Sequence, residues 1–493
     1  MKGIIVRLFS WMGFAMAAGV AAASASNGDV LPLVPYPQSV TTGEGRYSCA
    51  LVEYAEDETL GEEAYRISVG KKSVRICSSS PTGRFYAERT LDQLRGADGT
   101  VPCVEICDAP AFRWRGVLLD ESRHFFGKEV VKRILDRMAS CKLNVFHWHL
   151  VDSHGWRIAL DKHPELVGRG ATRPMPDWDH WIRDPHVGTY GPHYYTKEEL
   201  REVIAYASER HIRIVPEIEI PGHSREVIIC HPDFFCRDYD TFMDMMHGEK
   251  KEYLDQVGVV CLGNDAVLRF FEEVLDEVCE IFPGDIVHIG GDECPRENWK
   301  GCARCQARIG KLNLKDEDGL QSWATRHFVD YLAKKGKKAI GWDEILSGGI
   351  AKGALVMSWR GAEGGIAAAD AGHEVVMCPH RFCYLDYRTA ERGDKCPYPG
   401  FAEDLPIEKV YSLDIYAGIP AAKRKYVIGT ETLNWTESTW CEEDLAYKMW
   451  PRTYANAELA WTGCGKRSFA DFSRRLDGML KRRSPAMSGG RDK

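Results

Sequence analysis

The sequence predicts a (β/α)8 TIM barrel preceded by a small α+β N-terminal domain. From about residue 112 onward, nearly continuous apolar runs alternate with segments of helical periodicity. Apolar runs of this kind are typical of parallel strands buried on both faces. Eight strand–helix units within about 370 residues suit a barrel of this type. A doubly wound open sheet is the competing fold, and the absence of a Gly-x-Gly-x-x-Gly turn after the first strand disfavours it.

Eight segments are the candidate barrel strands, and most of them are apolar along nearly their whole length. They are Arg115–Asp120, Asn144–Leu150, Ile212–Ile220, Asp285–Glu293, Lys338–Asp343, Ala354–Trp359, Glu374–Cys378 and Tyr426–Thr432. Helical periodicity between strands predicts helices at Lys128–Cys141, Lys197–His211, Ala266–Ile281 and Gln321–Lys334.

The chain of 493 residues divides into four predicted parts: a signal peptide at 1–25, the small domain at 26–110, the barrel at 111–485 and a tail at 486–493 that we expect to be disordered. Prolines open the small domain, and a strand-like segment, Ser73–Cys77, precedes a helical run from Phe85 to Leu94. Asp108-Ala109-Pro110 marks the expected boundary with the barrel.

The N-terminus has the pattern of a secretory signal peptide. Lys2 and Arg7 precede an apolar stretch from Leu8 to Ala23, and Ala23-Ser24-Ala25 resembles a cleavage site. A membrane anchor is the alternative, but the stretch is short for a spanning helix. We therefore expect an exported protein, periplasmic or secreted, whose mature form has no stable membrane span.

Composition excludes several classes of protein. Hydrophobic residues make up 44% of the chain and charged residues 28%, as in soluble globular proteins. The formal net charge of −8 argues against a general nucleic-acid binder, which carries a basic excess.

The 17 cysteines are an odd number, so they cannot all pair within one chain. Cys302 and Cys305 have the spacing of a zinc ribbon, but no second such pair or histidine pair follows at a suitable distance. We therefore favour a local disulfide or two free thiols over a zinc site. The same interpretation applies to Cys103 and Cys107.

Polar and aromatic residues recur where the predicted strands end, which is where barrel enzymes place their functional side chains. The second strand ends in His147–Asp152, the third in Pro216–His223 and the fourth in His288–Glu293. Later strand ends supply Trp342, Trp359 and Trp435-Thr436-Glu437. This repetition predicts a single site at the C-terminal end of the barrel.

Asp292 and Glu293 form the most informative pair. Gly290 and Gly291 precede them, so a ligand or backbone can approach closely. Neighbouring residues in a strand point in different directions, and two such carboxyls can perform the two roles that glycoside hydrolysis requires. A surface turn and a metal site are the alternatives. We expect no metal and no cofactor, because a hard cation does not need the many tryptophans and no His-x-x-x-His helix is present.

Trp342, Trp359 and Trp435 suit the apolar faces of a pyranose ring, with charged residues binding its hydroxyls. A few aromatic and a few placed polar groups are the usual composition of a small-ligand site.

Taken in order, these motifs resemble the family 20 glycoside hydrolases, the β-N-acetylhexosaminidases, over most of the mature chain. The matching segments are Arg115–Asp120 with Ser122–Phe126, Asn144–Asp152 with Gly155–Arg157, Pro216–His223, His288–Glu293 and Trp435–Glu437.

The resemblance implies hydrolysis of terminal N-acetylglucosamine or N-acetylgalactosamine from oligosaccharides or glycoconjugates with retention, through an oxazoline formed by the substrate's acetamido group. It implies that Glu293 is the general acid/base, that Asp292 orients the acetamido N–H and that Tyr384 hydrogen-bonds the acetamido oxygen. The remaining roles that it implies are binding of outer sugar hydroxyls by Arg115, Asp386 and Glu437, polar lining by Asp152 and His223, and pocket walls from Trp342, Trp359 and Trp435.

The chain departs from the family pattern at two places. Ser153 follows Asp152 where many members have a second Asp, and no Trp lies between Trp359 and Trp435, so Tyr398 or Phe401 is the candidate replacement on the leaving-group side. Two other functions stay open: an enzyme resembling lacto-N-biosidases, which release a disaccharide, and a catalytically inactive glycan-binding protein.

Overall fold

Two units build the part of the chain that the computed structural model describes. They are a five-stranded mixed sheet with one helix and a closed barrel of eight parallel strands. The described residues are 31–48, 51–71, 73–175, 187–247, 256–389 and 404–487. The predicted signal peptide and the candidates Tyr398 and Phe401 lie outside them.

The small domain packs helix α1 (Pro81–Leu94) against its sheet. Ser80 caps the helix, because its side chain accepts a hydrogen bond from the Gly83 N–H, and Pro81 occupies the first helical position, where no N–H is needed. The sheet has the order β1-β5-β3-β4-β2, formed by β1 (Ser39–Ser48), β2 (Val52–Glu56), β3 (Tyr65–Val69), β4 (Val74–Ser78) and β5 (Thr100–Asp108).

The barrel contains all eight predicted strands, so the predicted fold class is confirmed. Its strands in chain order are β6 (Trp114–Asp120), β7 (Val145–His149), β12 (Arg213–Glu217), β13 (Ile286–His288), β14 (Lys338–Trp342), β15 (Leu355–Ser358), β16 (Val375–Met377) and β17 (Val427–Asn434). Closure occurs where β17 pairs in parallel with β6. Outside the barrel and the sheet of the small domain, the described residues form two short antiparallel pairs: β8 (Val151–Asp152) with β9 (Gly155–Trp156), and β10 (Arg173–Met175) with β11 (Gly188–Tyr190).

The third and fourth barrel strands are shorter than predicted. They end at Glu217 and His288, and the residues that follow form loops. After β13 the backbone enters the left-handed region, with φ of 60° at Gly290, 99° at Gly291 and 40° at Glu293. Such angles cannot continue a strand. The polar strand ends of the sequence are therefore loop residues held next to the strands.

The four predicted helices are confirmed, with ends shifted by a few residues. None of the helices in the described ranges combines the length and apolar character that a membrane crossing requires. The helices after α1 are α2 (Lys128–Ser140), α3 (Glu165–Gly168), α4 (Lys197–Ser208), α5 (Arg225–Cys230), α6 (Tyr239–Met246), α7 (Asp265–Ile281), α8 (Glu297–Lys300), α9 (Ala303–Lys311), α10 (Glu317–Lys334), α11 (Glu363–Asp370), α12 (His380–Cys383), α13 (Ile407–Tyr411), α14 (Glu442–Met449), α15 (Arg452–Thr462) and α16 (Phe469–Met487). Helix α16 thus extends into the predicted tail, and residues 488–493 lie outside the described part.

Arg115 joins the two units at the N-terminal end of the barrel. Its guanidinium is fully buried and binds the Glu63 carboxylate at 2.6 and 3.2 Å and the Tyr86 hydroxyl oxygen at 3.0 Å, both in the small domain. It also donates to the carbonyl oxygens of Phe112 and Lys142, each at 2.8 Å. This one side chain therefore satisfies acceptors from both units.

A hydrogen-bonded network around the buried Glu217 carboxylate fills the C-terminal half of the barrel interior. His149 Nδ1 lies 2.5 Å from one Glu217 oxygen, and the Trp342 N–H and His288 Nδ1 each lie 2.8 Å from the other. His147 bridges Glu217 at 3.2 Å and Glu431 at 2.8 Å. A single carboxylate on β12 thereby connects strands β7, β13 and β14.

The histidines of this network differ in protonation: His147 and His149 have raised pKa values, and His288 has a lowered one. Burial alone would lower the pKa of both His147 and His149. The carboxylates of Glu431 and Glu217 instead raise the pKa of His147 to about 9. Those of Glu217 and Asp152 raise the pKa of His149 to about 10. Burial lowers the pKa of His288 to about 4, so His288 is neutral at pH 7. Burial would raise the pKa of Glu217, but the charged His149 and His147 beside it hold the value well below the usual one.

We expect Arg115→Met to lower the free energy of unfolding by about 2 to 4 kcal/mol, because the change leaves the Glu63 carboxylate and two buried carbonyls without a partner. Arg66→Met is the matched control: Arg66 pairs with Asp57 at 2.5 Å on the surface of the small domain, so its loss should cost less than about 1 kcal/mol. Urea unfolding of both variants measures the difference. Equal losses would contradict the bridging role of Arg115.

We expect the stability of the protein to fall as pH rises from about 6.5 to 10. His147 and His149 have raised pKa values in the folded state, so their contribution is complete below pH 6.5 and is lost as they deprotonate. The slope should approach about 1.4 kcal/mol per pH unit for each titrating histidine. Glu217→Gln removes the main attracting charge beside His149 and a smaller one beside His147, and should flatten the slope. Glu272→Gln, at a partly exposed pair with His327, should not. Urea unfolding at several pH values tests this, and an unchanged slope in Glu217→Gln would contradict it.

Candidate active site

Asp292 and Glu293 lie in the loop that follows β13, at the C-terminal end of the barrel. The two glycines before them permit the left-handed turn by which the chain leaves the barrel. A Cβ atom on Gly290 would collide with the carboxyl group of Glu219, and one on Gly291 with the side chain of Ile345. The glycines therefore allow this loop to pack against neighbouring strand ends.

His223 connects the two acids to a third. Its Nε2 lies 3.5 Å from an Asp292 oxygen and 3.6 Å from a Glu293 oxygen, and its Nδ1 lies 3.3 Å from Asp152. Burial lowers the pKa of His223, but Asp152 and Asp292 together raise it well above the usual value. A positively charged imidazole thus lies among three carboxyl groups.

The two adjacent acids have different environments. Burial, together with the charges of Glu217 and Glu293, raises the pKa of Asp292 to about 7 against the opposing effect of His223. The Glu293 side chain is 62% exposed, and His223 lowers its pKa. The pair therefore titrates in separate ranges, and its protonation responds to whatever contacts either carboxyl.

Arg123 is a site residue that the sequence interpretation missed. Its guanidinium lies 2.8 Å from Asp152, 3.4 Å from Asp120 and 3.9 Å from Glu437, and it sits over the Trp435 ring. Burial would lower the pKa of Arg123, and the three carboxylates raise it well above the usual value. The sequence could have indicated Arg123, because it follows the end of the first barrel strand, where barrel enzymes place functional residues.

The prediction that Arg115 lines the same pocket is wrong. Arg115 is the second residue of β6 and Asp120 the last, so it lies about 16 Å below the site along a strand that rises about 3.3 Å per residue. Its guanidinium is occupied at the interface with the small domain. Arg123 is the arginine that lies beside Glu437 at the C-terminal end of the barrel.

Aromatic rings surround the acids. The Trp359 and Tyr384 rings stack with centroids 5.9 Å apart and planes 16° apart, and the Trp435 ring lies 6.0 Å from Tyr384 and 5.9 Å from Trp342. Trp342 is 1% exposed and donates its N–H to Glu217, so it forms the floor between the site and the barrel interior. Burial, Cys378 and Asp292 raise the pKa of Tyr384 well above its usual value.

Asp386 and Glu437 form a second acidic group beside Arg123. Burial, with the charge of Glu437, raises the pKa of Asp386 to about 8. Among the described residues, neither oxygen of this buried carboxyl has a hydrogen-bond partner. Burial also raises the pKa of Glu437, while Arg123 opposes the rise. Buried carboxyl groups normally have partners, so Asp386 is suited to bind hydroxyl groups of a ligand.

Two further acids lie at the site without having been predicted. Glu219 follows β12, and burial together with Asp292 raises its pKa well above the usual value. Glu344 follows β14, accepts a hydrogen bond from the Trp359 N–H at 3.0 Å, and has a pKa raised to about 8 by burial and the charges of Asp292 and Asp343. Both occur at strand ends in the sequence, which was the available signal.

The structure brings together all the predicted site residues except Arg115. His149, Glu217 and Glu219 also have ligand atoms within 4.8 Å of one another, as a metal site would require. However, His149 and Glu217 are already hydrogen-bonded to each other at 2.5 Å, so this group fits an internal network better than a metal site.

Comparison with known proteins agrees with this geometry. The model of the glycosyl hydrolase family 20 catalytic domain matches residues 112–464, and that of family 20 domain 2 matches residues 41–109. A β-hexosaminidase of Porphyromonas gingivalis is 42% identical over 434 residues, which cover 85% of this chain and 53% of that protein. A β-hexosaminidase of Akkermansia muciniphila is 32% identical over 434 residues, with 86% of this chain and 85% of that protein covered.

A solved structure has the same fold. The family 20 exo-β-N-acetylglucosaminidase of Vibrio harveyi, in complex with N-acetylglucosamine, superimposes with a TM-score of 0.84 at 30% identity and covers 94% of this chain and 79% of that one. The chain spans about half the length of the Porphyromonas relative and 65% of a β-hexosaminidase of Vibrio furnissii. Since the catalytic-domain model spans the whole barrel and every residue of the site, the chain belongs to glycosyl hydrolase family 20.

Proposed function

We propose that the protein is an exo-acting β-N-acetylhexosaminidase that removes terminal N-acetylglucosamine or N-acetylgalactosamine from glycans with retention of configuration. The observation that carries the proposal is the adjacent pair of acids, Asp292 with a side chain 13% exposed and Glu293 with one 62% exposed, which both lie within 3.6 Å of His223. The relatives named β-hexosaminidase support the same activity.

In this proposal Asp292 accepts a hydrogen bond from the substrate's acetamido N–H. A donor of this kind favours the charged form of a carboxyl group and would lower the pKa of Asp292 from about 7. The resulting negative charge, together with a sugar that covers Glu293 and excludes water, would raise the pKa of Glu293. Substrate binding thereby shifts the proton of the pair toward Glu293, the residue that must donate it.

The acetamido oxygen then attacks C1 while Glu293 protonates the leaving oxygen, and the C1–O bond to the leaving group breaks. The product of this step is an oxazoline-type intermediate whose positive charge is stabilised by Asp292. Tyr384 hydrogen-bonds the acetamido oxygen and fixes its direction of attack. Water, deprotonated by Glu293, opens the ring from the opposite face, so two displacements retain the β configuration.

The remaining groups bind the sugar. Trp342, Trp359 and Trp435 pack against the pyranose ring, and Arg123, Asp386 and Glu437 bind its outer hydroxyls. Asp152 holds both Arg123 and His223, at 2.8 Å and 3.3 Å, and so couples the sugar-binding groups to the acid pair. Because Arg123, Asp386 and Glu437 would bind the outer hydroxyls of the terminal sugar, the proposal favours release of one sugar over release of a disaccharide.

The proposed function predicts an absolute requirement for the 2-acetamido group, because that group is the nucleophile. An aryl β-N-acetylglucosaminide should be hydrolysed at least about a thousand times faster than the aryl β-glucoside, measured as kcat/KM, because a missing catalytic group costs on the order of that factor. Comparable rates on the two would refute substrate assistance. Release of a disaccharide in place of a monosaccharide would favour the lacto-N-biosidase-like alternative, and binding without hydrolysis the inactive glycan-binding one.

The two acids should respond differently to the leaving group. Glu293→Gln should lose about a hundred- to ten-thousand-fold in kcat/KM on substrates whose leaving group needs a proton, and much less on activated aryl glycosides. Asp292→Asn should lose activity whatever the leaving group, because ring formation itself is impaired. Glu297→Gln, an exposed acid on α8, is the control and should match the wild type.

The measurement is kcat/KM across aryl N-acetylglucosaminides of graded leaving-group pKa, with the first-formed product anomer followed by NMR. Glu293→Gln should show a steeper dependence on leaving-group pKa than the wild type. A steeper dependence in Asp292→Asn, or an inverted product from the wild type, would show that the roles or the mechanism are assigned wrongly.

A further inference from the structure

Four cysteines converge beside the active-site loops, although they are far apart in the sequence. Cys236 follows the turn Pro232–Phe234, Cys261 precedes α7, and Cys302 and Cys305 lie at the start of α9. Their Sγ atoms all lie within 4.8 Å of one another. The separations are 3.8 Å for Cys236–Cys305, 3.7 Å for Cys261–Cys302 and 3.6 Å for Cys261–Cys305.

These separations match a tetrahedral metal site. Four thiolates bound to one zinc ion at about 2.3 Å lie about 3.8 Å from one another in a regular tetrahedron. A disulfide would place one pair of sulfurs at about 2.05 Å. Cys261 and Cys305 each lie within 3.8 Å of two other sulfurs. Disulfides would require only one close sulfur for each cysteine, whereas a shared central ion brings all four sulfurs together. We propose that Cys236, Cys261, Cys302 and Cys305 bind a structural zinc ion.

The surroundings suit the net negative charge of a zinc tetrathiolate. Cys261, Cys302 and Cys305 are buried and Cys236 is half-buried, so water has little access to the centre. Arg304 lies between the two ligands of α9 and donates to the carbonyl oxygen of Phe235, the residue before Cys236, at 2.7 Å. A positive side chain is thereby fixed beside the thiolates.

Close backbone packing holds the ligands together. A Cβ atom on Gly263 would collide with the backbone of Arg304 and Cys305, so the loop carrying Cys261 packs directly on the first turn of α9. The Cys261 N–H donates to the Phe234 carbonyl at 2.7 Å, which ties the same loop to the turn before Cys236. The three segments are thus preorganised around one centre.

This centre fastens the loop after β12 to the loop after β13. The Val260 N–H, next to Cys261, donates to the Pro221 carbonyl at 3.1 Å, and the Ser224 N–H donates to the Gly258 carbonyl at 2.8 Å. Pro221 and Ser224 lie on either side of His223 in the chain. With four protein ligands the ion has no open position, so its role is structural and separate from the chemistry of the acid pair.

The test begins with the metal content of the full chain, purified without added metal, chelator or reductant. Inductively coupled plasma mass spectrometry should find one zinc per chain, and native mass spectrometry should find the chain heavier by one zinc ion than the denatured chain. X-ray absorption at the zinc edge should show four sulfur ligands at about 2.3 Å. Nitrogen or oxygen ligands in place of sulfur would overturn the assignment.

Variants locate the site. Cys261→Ser and Cys302→Ser should lose the zinc and unfold at a lower temperature, whereas Cys107→Ser, an exposed cysteine of β5, should keep one zinc per chain and the wild-type Tm. If the buried variants do not fold, Cys236→Ser, at the half-buried ligand, provides the same comparison. Retention of zinc in Cys236→Ser would overturn the proposal.

The state of the four thiols in the wild type decides between the alternatives. Alkylation under denaturing conditions with a chelator and without reductant should modify all four, as identified by peptide mass spectrometry. Two disulfides among these cysteines, stoichiometric iron in place of zinc, or free thiols with no bound metal would each overturn the proposal. Because these measurements do not use activity, they are independent of the proposed hydrolase function.

Discussion

The hydrogen bonds to the buried Glu217 carboxylate are the constraint on which the site depends most. They fix side chains from β7, β13 and β14 against a single group on β12. An unpaired buried charge destabilises a protein, so moving the histidines or Trp342 away would leave the Glu217 carboxylate without partners at a high cost in free energy. The floor of the pocket, Trp342, is therefore held rigidly from below, and the loops above it start from fixed strand ends.

Above this floor, local charges and burial give the neighbouring acids Asp292 and Glu293 different pKa values. His223 lies between Asp152 and the Asp292–Glu293 pair, and the raised pKa of Asp292 contrasts with the lowered pKa of Glu293. Burial is the main cause of the raised pKa of Asp292, and the contact with His223 is the main cause of the lowered pKa of Glu293. Adjacent acids of one loop are thus made chemically distinct by their surroundings and not by their type.

The sequence predicts the barrel strands well because buried parallel strands leave continuous apolar runs, and it predicts most of the site because barrel enzymes use strand ends. The errors have a physical origin. Arg115 lies near the start of the first barrel strand and Arg123 lies three residues after its end, and a motif does not state which of two arginines reaches the site. The four clustered cysteines come from three separated segments, so the spacing of Cys302 and Cys305 alone could not reveal their partners. Glu219 and Glu344 were visible as strand-end acids, but their burial depends on tertiary packing.

The loops that carry the reacting groups need attachments outside the barrel sheet because of the way in which the chain leaves the barrel. Backbone hydrogen bonds between the parallel strands extend as far as Ile220 and Gly290, and beyond Gly290 the backbone turns out of the sheet. The reacting groups therefore lie on segments that these hydrogen bonds do not hold. His223 secures them from the pocket side through its contacts with the acids, and the cysteine cluster would secure the same loops from the outer side. A long loop that must present its side chains accurately needs such a second attachment, because the entropy of an unfastened loop opposes a single arrangement.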